Sequence, residues 1–122
     1  VWSLARGRWQ VVARLPRVGF FRPVGADFGP DGSFYLLERR FLGPVFRTRV
    51  RRFAEAGPGR WREDVLLTTP PGRHGNLEGL AVWRDAAGAL RLTMISDDNG
   101  TPLQRAQIVE YRLPLAVSSQ GR

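Results

Sequence analysis

The chain has 122 residues, 43% hydrophobic and 25% charged, with no cysteine and one histidine, His74. That is the length and composition of one ordinary globular domain. It excludes disulfides, thiolate metal sites, a cysteine nucleophile and any site built from several histidines. The formal net charge of +8 rests on 19 basic residues, every one an arginine. They are spread along the chain rather than gathered on one helical face, so a nucleic-acid partner is not expected.

No apolar run approaches the ~18 residues of a membrane-spanning helix, and no basic-then-apolar leader opens the chain, so no membrane partner is expected either. A chain that begins at Val1 reads as an excised or processed piece.

In chain order, Trp9 to Leu15 forms a short apolar strand ended by Pro16. Phe20-Phe21-Arg22-Pro23 is a connector, and Val24 to Phe28 a second strand. Gly29-Pro30-Asp31-Gly32 is a strong turn signal leading into Phe34 to Arg40, a strand with a charged end. After the Gly43-Pro44 break, Phe46, Thr48 and Val50 alternate with Arg47, Arg49 and Arg51, the period of a half-exposed strand whose arginines face solvent. Gly57-Pro58-Gly59 turns the chain into Trp61 to Thr69, and Pro70-Pro71-Gly72 leads on. Leu77 to Trp83 and Leu90 to Ser96 flank a polar turn at Asp85 to Gly88 and read as a β-hairpin. Gln107 to Leu113 is the last strand, and the tail after Pro114 is small and polar. No segment carries a convincing amphipathic helix, so the fold class is all-β.

An internal repeat sharpens this. Gly7-Arg8-Trp9 recurs as Gly59-Arg60-Trp61, 52 residues on, and Gly25-Ala26 matches Gly79-Leu80, 54 residues on. A period near 50 residues with about four short strands in each is that of a β-propeller blade. The expected layout is residues 1–17 as the outer strand of a preceding blade, 22–69 as a complete four-stranded antiparallel blade, 74–114 as three strands of the next, and 115–122 as a tail. That is about two and a third blades, whereas closed propellers have at least about four. The chain therefore reads as a fragment of a longer propeller, its missing blades supplied by the parent chain or by other copies.

In a propeller the innermost strand of each blade lines the channel, so first-strand starts and second-strand ends open on one face. Glu78 and Asn76 stand at such a start, and Asp97, Asp98 and Asn99 at such an end. Glu38, Arg39 and Arg40 take the corresponding place one blade earlier. Glu78, Asp97, Asp98 and Asn99 are candidate ligands of a hard cation such as calcium, which takes six to eight oxygens. The competing reading of Asp97-Asp98-Asn99-Gly100 is a plain turn. Arg39 and Arg40, with Arg105, are candidate binders of a small phosphorylated ligand. Glu38, Arg39 and Glu78 are the catalytic candidates, Glu38 having a structural ion pair with Arg39 as its alternative. His74, in a Pro-Gly-Arg-His-Gly loop, is a weaker acid–base candidate. Trp2, Trp9, Trp61 and Trp83 read as blade packing. There is no G-x-S-x-G elbow, which removes a serine-hydrolase reading.

Asn-Leu-Glu-Gly-Leu-Ala-Val at 76–82, Ile-Ser-Asp-Asp-Asn at 95–99, Pro-Leu-Gln-Arg at 102–105 and the segment from Pro23 to Arg40 together resemble the C-terminal half of the phytase-like family, described by an "esterase-like activity of phytase". The resemblance runs from about Phe21 to Pro114, with Gly100 where family members commonly carry an aromatic residue. It implies a β-propeller of roughly 300 residues, bacterial and often exported, with a phosphoester hydrolase activity; together with the candidate cation ligands above, calcium-assisted hydrolysis of phosphate monoesters is the expected activity. A non-catalytic propeller that binds a ligand or protein through the same mouth is the alternative.

Overall fold

The computed structural model describes residues 2–5, 7–11, 14, 19–96 and 106–114. Among them every regular element is a strand, in three antiparallel groups. Strands β1 (Trp2–Ala5) and β2 (Arg8–Val11) pair as a hairpin. Four strands form a meander, β3 (Arg22–Phe28), β4 (Phe34–Leu42), β5 (Val45–Gly57) and β6 (Arg60–Thr68). A second meander has three, β7 (Leu77–Arg84), β8 (Leu90–Ser96) and β9 (Ile108–Arg112). No helix among the described residues is long and apolar enough to cross a membrane.

The turns lie where glycine and proline predicted them. Gly29 to Ser33 and Asp85 to Ala89 close the two inner hairpins in the same way. In each, the first residue's N–H bonds the fifth residue's carbonyl at 2.9 Å and the fourth residue's N–H bonds the first carbonyl at 2.9 Å. The fourth residues are Gly32 and Gly88, with φ of 81° and 87°. That left-handed backbone costs a residue with a Cβ about 1 kcal/mol or more. β5 runs farther than alternation suggested, to Gly57, because Ala54 and Glu55 pair with Arg62 and Trp61. The N-terminal region also departs from expectation, because a strand over Trp2–Ala5 precedes the predicted one; residues 12, 13 and 15 of that predicted strand lie outside the described residues.

The two meanders are layered through their first strands, β3 against β7. Tyr35, Leu37 and Val50 from one sheet and Leu77, Val82, Leu92 and Met94 from the other form a single buried cluster. Asp27 ties the layers together by accepting the Val82 N–H at 2.7 Å. The approach is closest at Gly25, where a Cβ would lie 2.8 Å from the carbonyl oxygen of Glu78. Beyond β6, Thr69 and Gly72 stay on the edge of β5, their N–H groups bonding the carbonyls of Thr48 and Phe46 at 2.9 and 3.0 Å. Arg47 Nε donates to Thr69 O at 3.0 Å. This stitching guides the connector to Asn76, at the mouth of the second sheet.

A candidate anion-binding mouth at the strand ends

Both inner hairpins carry the same irregularity. The β3–β4 register shifts between Pro23 and Gly25, and the β7–β8 register shifts between Leu77 and Gly79. Val24 and Glu78 are the inserted residues. A bulge adds one unpaired residue and re-aims its side chain, a device common beside functional sites. Glu78 is accordingly exposed although its neighbour Leu77 is buried. Its carboxylate accepts a hydrogen bond from Asn76 Nδ2 at 2.9 Å. The carbonyl oxygen of the same Asn76 side chain accepts one from Arg39 Nη1. Arg39, Asn76 and Glu78 thus form one chain of hydrogen bonds from the end of β4 to the start of β7.

Arg39 is flanked on β3 by its register partner Arg22 and on its own strand by Arg40. With Phe20 and Phe41 these three arginines line a cavity of about 380 Å³. Among the described residues none of the three forms an ion pair. Rings support two of them: the Arg40 guanidinium lies 5.2 Å from the Phe20 centroid and that of Arg39 5.4 Å from Phe46. A guanidinium with its face against a ring keeps its N–H edges free to grip an anion. The sequence singled out Arg39 and Arg40 and missed Arg22, which looked like part of a connector. The only local signal was its place three residues before Gly25, where Glu38 and Arg39 come alongside.

Glu38 is not at this mouth. It is fully buried, and alternation along β4 turns it to the face opposite Arg39. Arg49 Nε and Arg51 Nε both donate to its Oε1 at 2.8 Å, and Arg51 Nη2 donates to Oε2 at 2.7 Å. Arg51 reaches on to Glu63 at 3.2 Å. Burial works against the Arg51 charge, but the bonds from Glu38 and Glu63 outweigh it and hold its pKa above the ordinary arginine value. The ion pair foreseen with Arg39 is therefore made with Arg49 and Arg51. The solvent face predicted for the β5 arginines is corrected too, since Arg49 and Arg51 are both buried. Phe21 covers Arg49, with its ring centroid 4.2 Å from the guanidinium carbon. By register Glu38, opposite Pro23, corresponds to Ser96, opposite Leu77, and not to Asp97.

Asp97, Asp98, Asn99 and Arg105 lie outside the described residues. Among the described ones no group of three or more His, Asp or Glu side chains gathers that could hold a metal ion. Among the described residues Glu78 has the Asn76 amide beside it at the mouth, and that amide's oxygen is engaged by Arg39. Calcium takes six to eight oxygens, so the described residues do not make a calcium site by themselves. His74 engages β9, its Nε2 lying 2.6 Å from the Tyr111 hydroxyl. Burial, with Arg73 nearby, lowers its pKa below the ordinary histidine value. Trp61 and Trp83 are more exposed than packing residues of a blade would be, and Trp83 Nε1 donates to Thr93 Oγ1 at 2.8 Å.

Antiparallel sheets of four and three strands, layered through their first strands and sharing one bulged hairpin design, are partial blades of a β-propeller. The chain belongs to the phytase-like family, described by the esterase-like activity of phytase, whose family model matches residues 3–100. The match begins ahead of Phe21 and stops before Pro102–Arg105, so that last motif contributes nothing to it. No curated protein and no solved structure matches the chain.

Proposed function

We propose that the mouth formed by Arg22, Arg39, Arg40, Asn76 and Glu78 binds a phosphate monoester and hydrolyses it. The observation that carries this reading is the cavity lined by three arginines, none ion-paired among the described residues, beside a carboxylate re-aimed by a bulge. Guanidinium N–H edges bind phosphoryl oxygens in bidentate pairs and offset the negative charge that develops there. Water adds its oxygen to phosphorus, and the ester P–O bond breaks with its electron pair passing to the alcohol oxygen. Glu78 takes the proton from the attacking water, and solvent protonates the leaving alkoxide. Arg39, acting through Asn76, holds the Glu78 carboxylate in place.

Calcium enters the proposal as an added group to be tested, with Asp97, Asp98 and Asn99 as the ligands that would join Glu78. Export to the periplasm or medium is likewise part of the proposal and rests on family membership.

The test is phosphate release from phytate and from simple monoesters, with calcium and with chelator. Release that is lost in Glu78→Gln, and that falls by at least ~100-fold in Arg22→Gln/Arg40→Gln, supports the hydrolase. The lack of a carboxylate cluster among the described residues favours one second reading, a non-catalytic propeller that binds an anionic ligand at the same arginines. Saturable phosphate binding with no turnover, with or without calcium, would establish that instead.

A further inference from the structure

Two phenylalanines of the mouth stand out because folding leaves them in water. Phe20 is 78% exposed and Phe41 64% exposed, and both line the arginine cavity. Large exposed apolar side chains that rim a polar pocket mark a place where a ligand's apolar surface settles. Here the rings are also integrated with the cations. Phe20 carries Arg40 over its face, and Phe41 packs on Phe46 at 5.0 Å between centroids, the ring over which Arg39 lies. Each ring keeps an outer surface free while a guanidinium occupies or neighbours the other.

We infer that the mouth selects aryl phosphates: a monoester whose phosphate sits among Arg22, Arg39 and Arg40 and whose flat apolar group is held between Phe20 and Phe41. The inference rests on the phosphate reading above and adds the chemistry of the organic part. The charge count points the same way. Three guanidiniums together with the Glu78 carboxylate leave a net +2 that matches one phosphate dianion, whereas a sugar or inositol bearing many phosphates needs a wider field of cations and gains nothing from phenyl walls. A cavity of about 380 Å³ lies at the lower end of small-molecule sites and admits a single ring with its phosphate.

The experiment is calorimetric titration of the chain with phenylphosphonate and methylphosphonate, which carry the same anionic head and have no ester bond to break. Phenylphosphonate should bind roughly tenfold more tightly, the gain expected from one well-stacked ring. Phe20→Ala and Phe41→Ala should each shrink that ratio, and the pair together should bring it close to one. Both side chains are exposed, so the variants are expected to fold normally, which circular dichroism verifies. Arg22→Gln/Arg40→Gln should abolish binding of both compounds. Equal binding of the two phosphonates by the parent chain would overturn the aryl preference and leave the phosphate site standing. Binding of neither would remove the phosphate reading itself. A phenyl preference that survives loss of both phenylalanines, or binding that survives loss of both arginines, places the compound elsewhere and overturns the inference.

Discussion

The two sheets share a backbone plan and fill it with opposite chemistry. Leu37 on β4 and Ile95 on β8 hold equivalent register positions, opposite Gly25 and Gly79 just past the two bulges. Leu37 is fully buried because the second sheet lies on it, whereas Ile95 is 50% exposed because no described residue covers that face. One residue further along each strand the contrast is of charge. Glu38, clamped by two arginines, corresponds to Ser96, whose hydroxyl accepts the Gln107 N–H at 3.0 Å. A blade position thus acquires its energetic weight from what is layered on it, and the same strand pattern serves a salt-bridged interior or an apolar one.

The largest effect that would sharpen this comparison is at Glu38. Glu38→Gln leaves Arg49 and Arg51 buried without their shared carboxylate and should cost about 3–5 kcal/mol. Ser96→Ala, at the corresponding position, should cost about 1 kcal/mol. Urea unfolding of the two variants reads the difference, and comparable costs would mean that the ion cluster adds nothing specific.

Leu37→Ala should lose about 2–5 kcal/mol through a core cavity. Ile95→Ala should lose clearly less, because half of that side chain is already in water. A large loss at Ile95 in the same assay would show that its face is covered in solution.

The glycines give a finer contrast. In Gly25→Ala the new methyl meets the Glu78 backbone oxygen, which moves only if the sheets part. In Gly79→Ala it meets the Ile95 Cγ2 at 2.7 Å, a side-chain atom that can swing away. Overpacking costs of about 1–3 kcal/mol are expected at Gly25, with Gly79 at or below the lower end. Equal midpoints in thermal melts would contradict the close approach of β3 and β7.

The last contrast is a pH dependence confined to the first sheet and absent at neutral pH. Tyr35 donates to Asp31 at 2.8 Å, and burial together with that bond pushes its pKa up to about 12 from an ordinary value of 10.0. The unfolded chain ionises first as pH rises, so this contribution is complete below pH 10 and is lost on the way to about 12. Tyr35→Phe should flatten stability between those values while leaving the neutral-pH profile unchanged in shape. If the alkaline slope persists in full, Tyr35 is not its source.

Strand positions were legible in the sequence because they depend on neighbours in the chain. Gly-Pro-Asp-Gly and Asp85 to Gly88 close hairpins by local hydrogen bonds and left-handed glycines, and period-two alternation marks the strands between them. The span of β8 was read to the residue, and the repeat of about 50 residues was enough to suggest blades. The convergence of Arg39, Asn76 and Glu78 followed from the rule that first-strand starts and second-strand ends share a face.

What only the tertiary structure decided is which side of each strand is covered and by what. Alternating arginines on β5 looked solvated because a charged side chain normally is. They are buried because cross-strand register sets Glu38 opposite Arg49 and diagonal to Arg51, a pairing between residues 11 and 13 positions apart. The bulge that turns Glu78 outward and the recruitment of Arg22 from an apparent connector are likewise matters of register between strands. Local propensity fixes where the chain extends and turns, while burial and pairing depend on contacts between distant segments, and those contacts built this mouth.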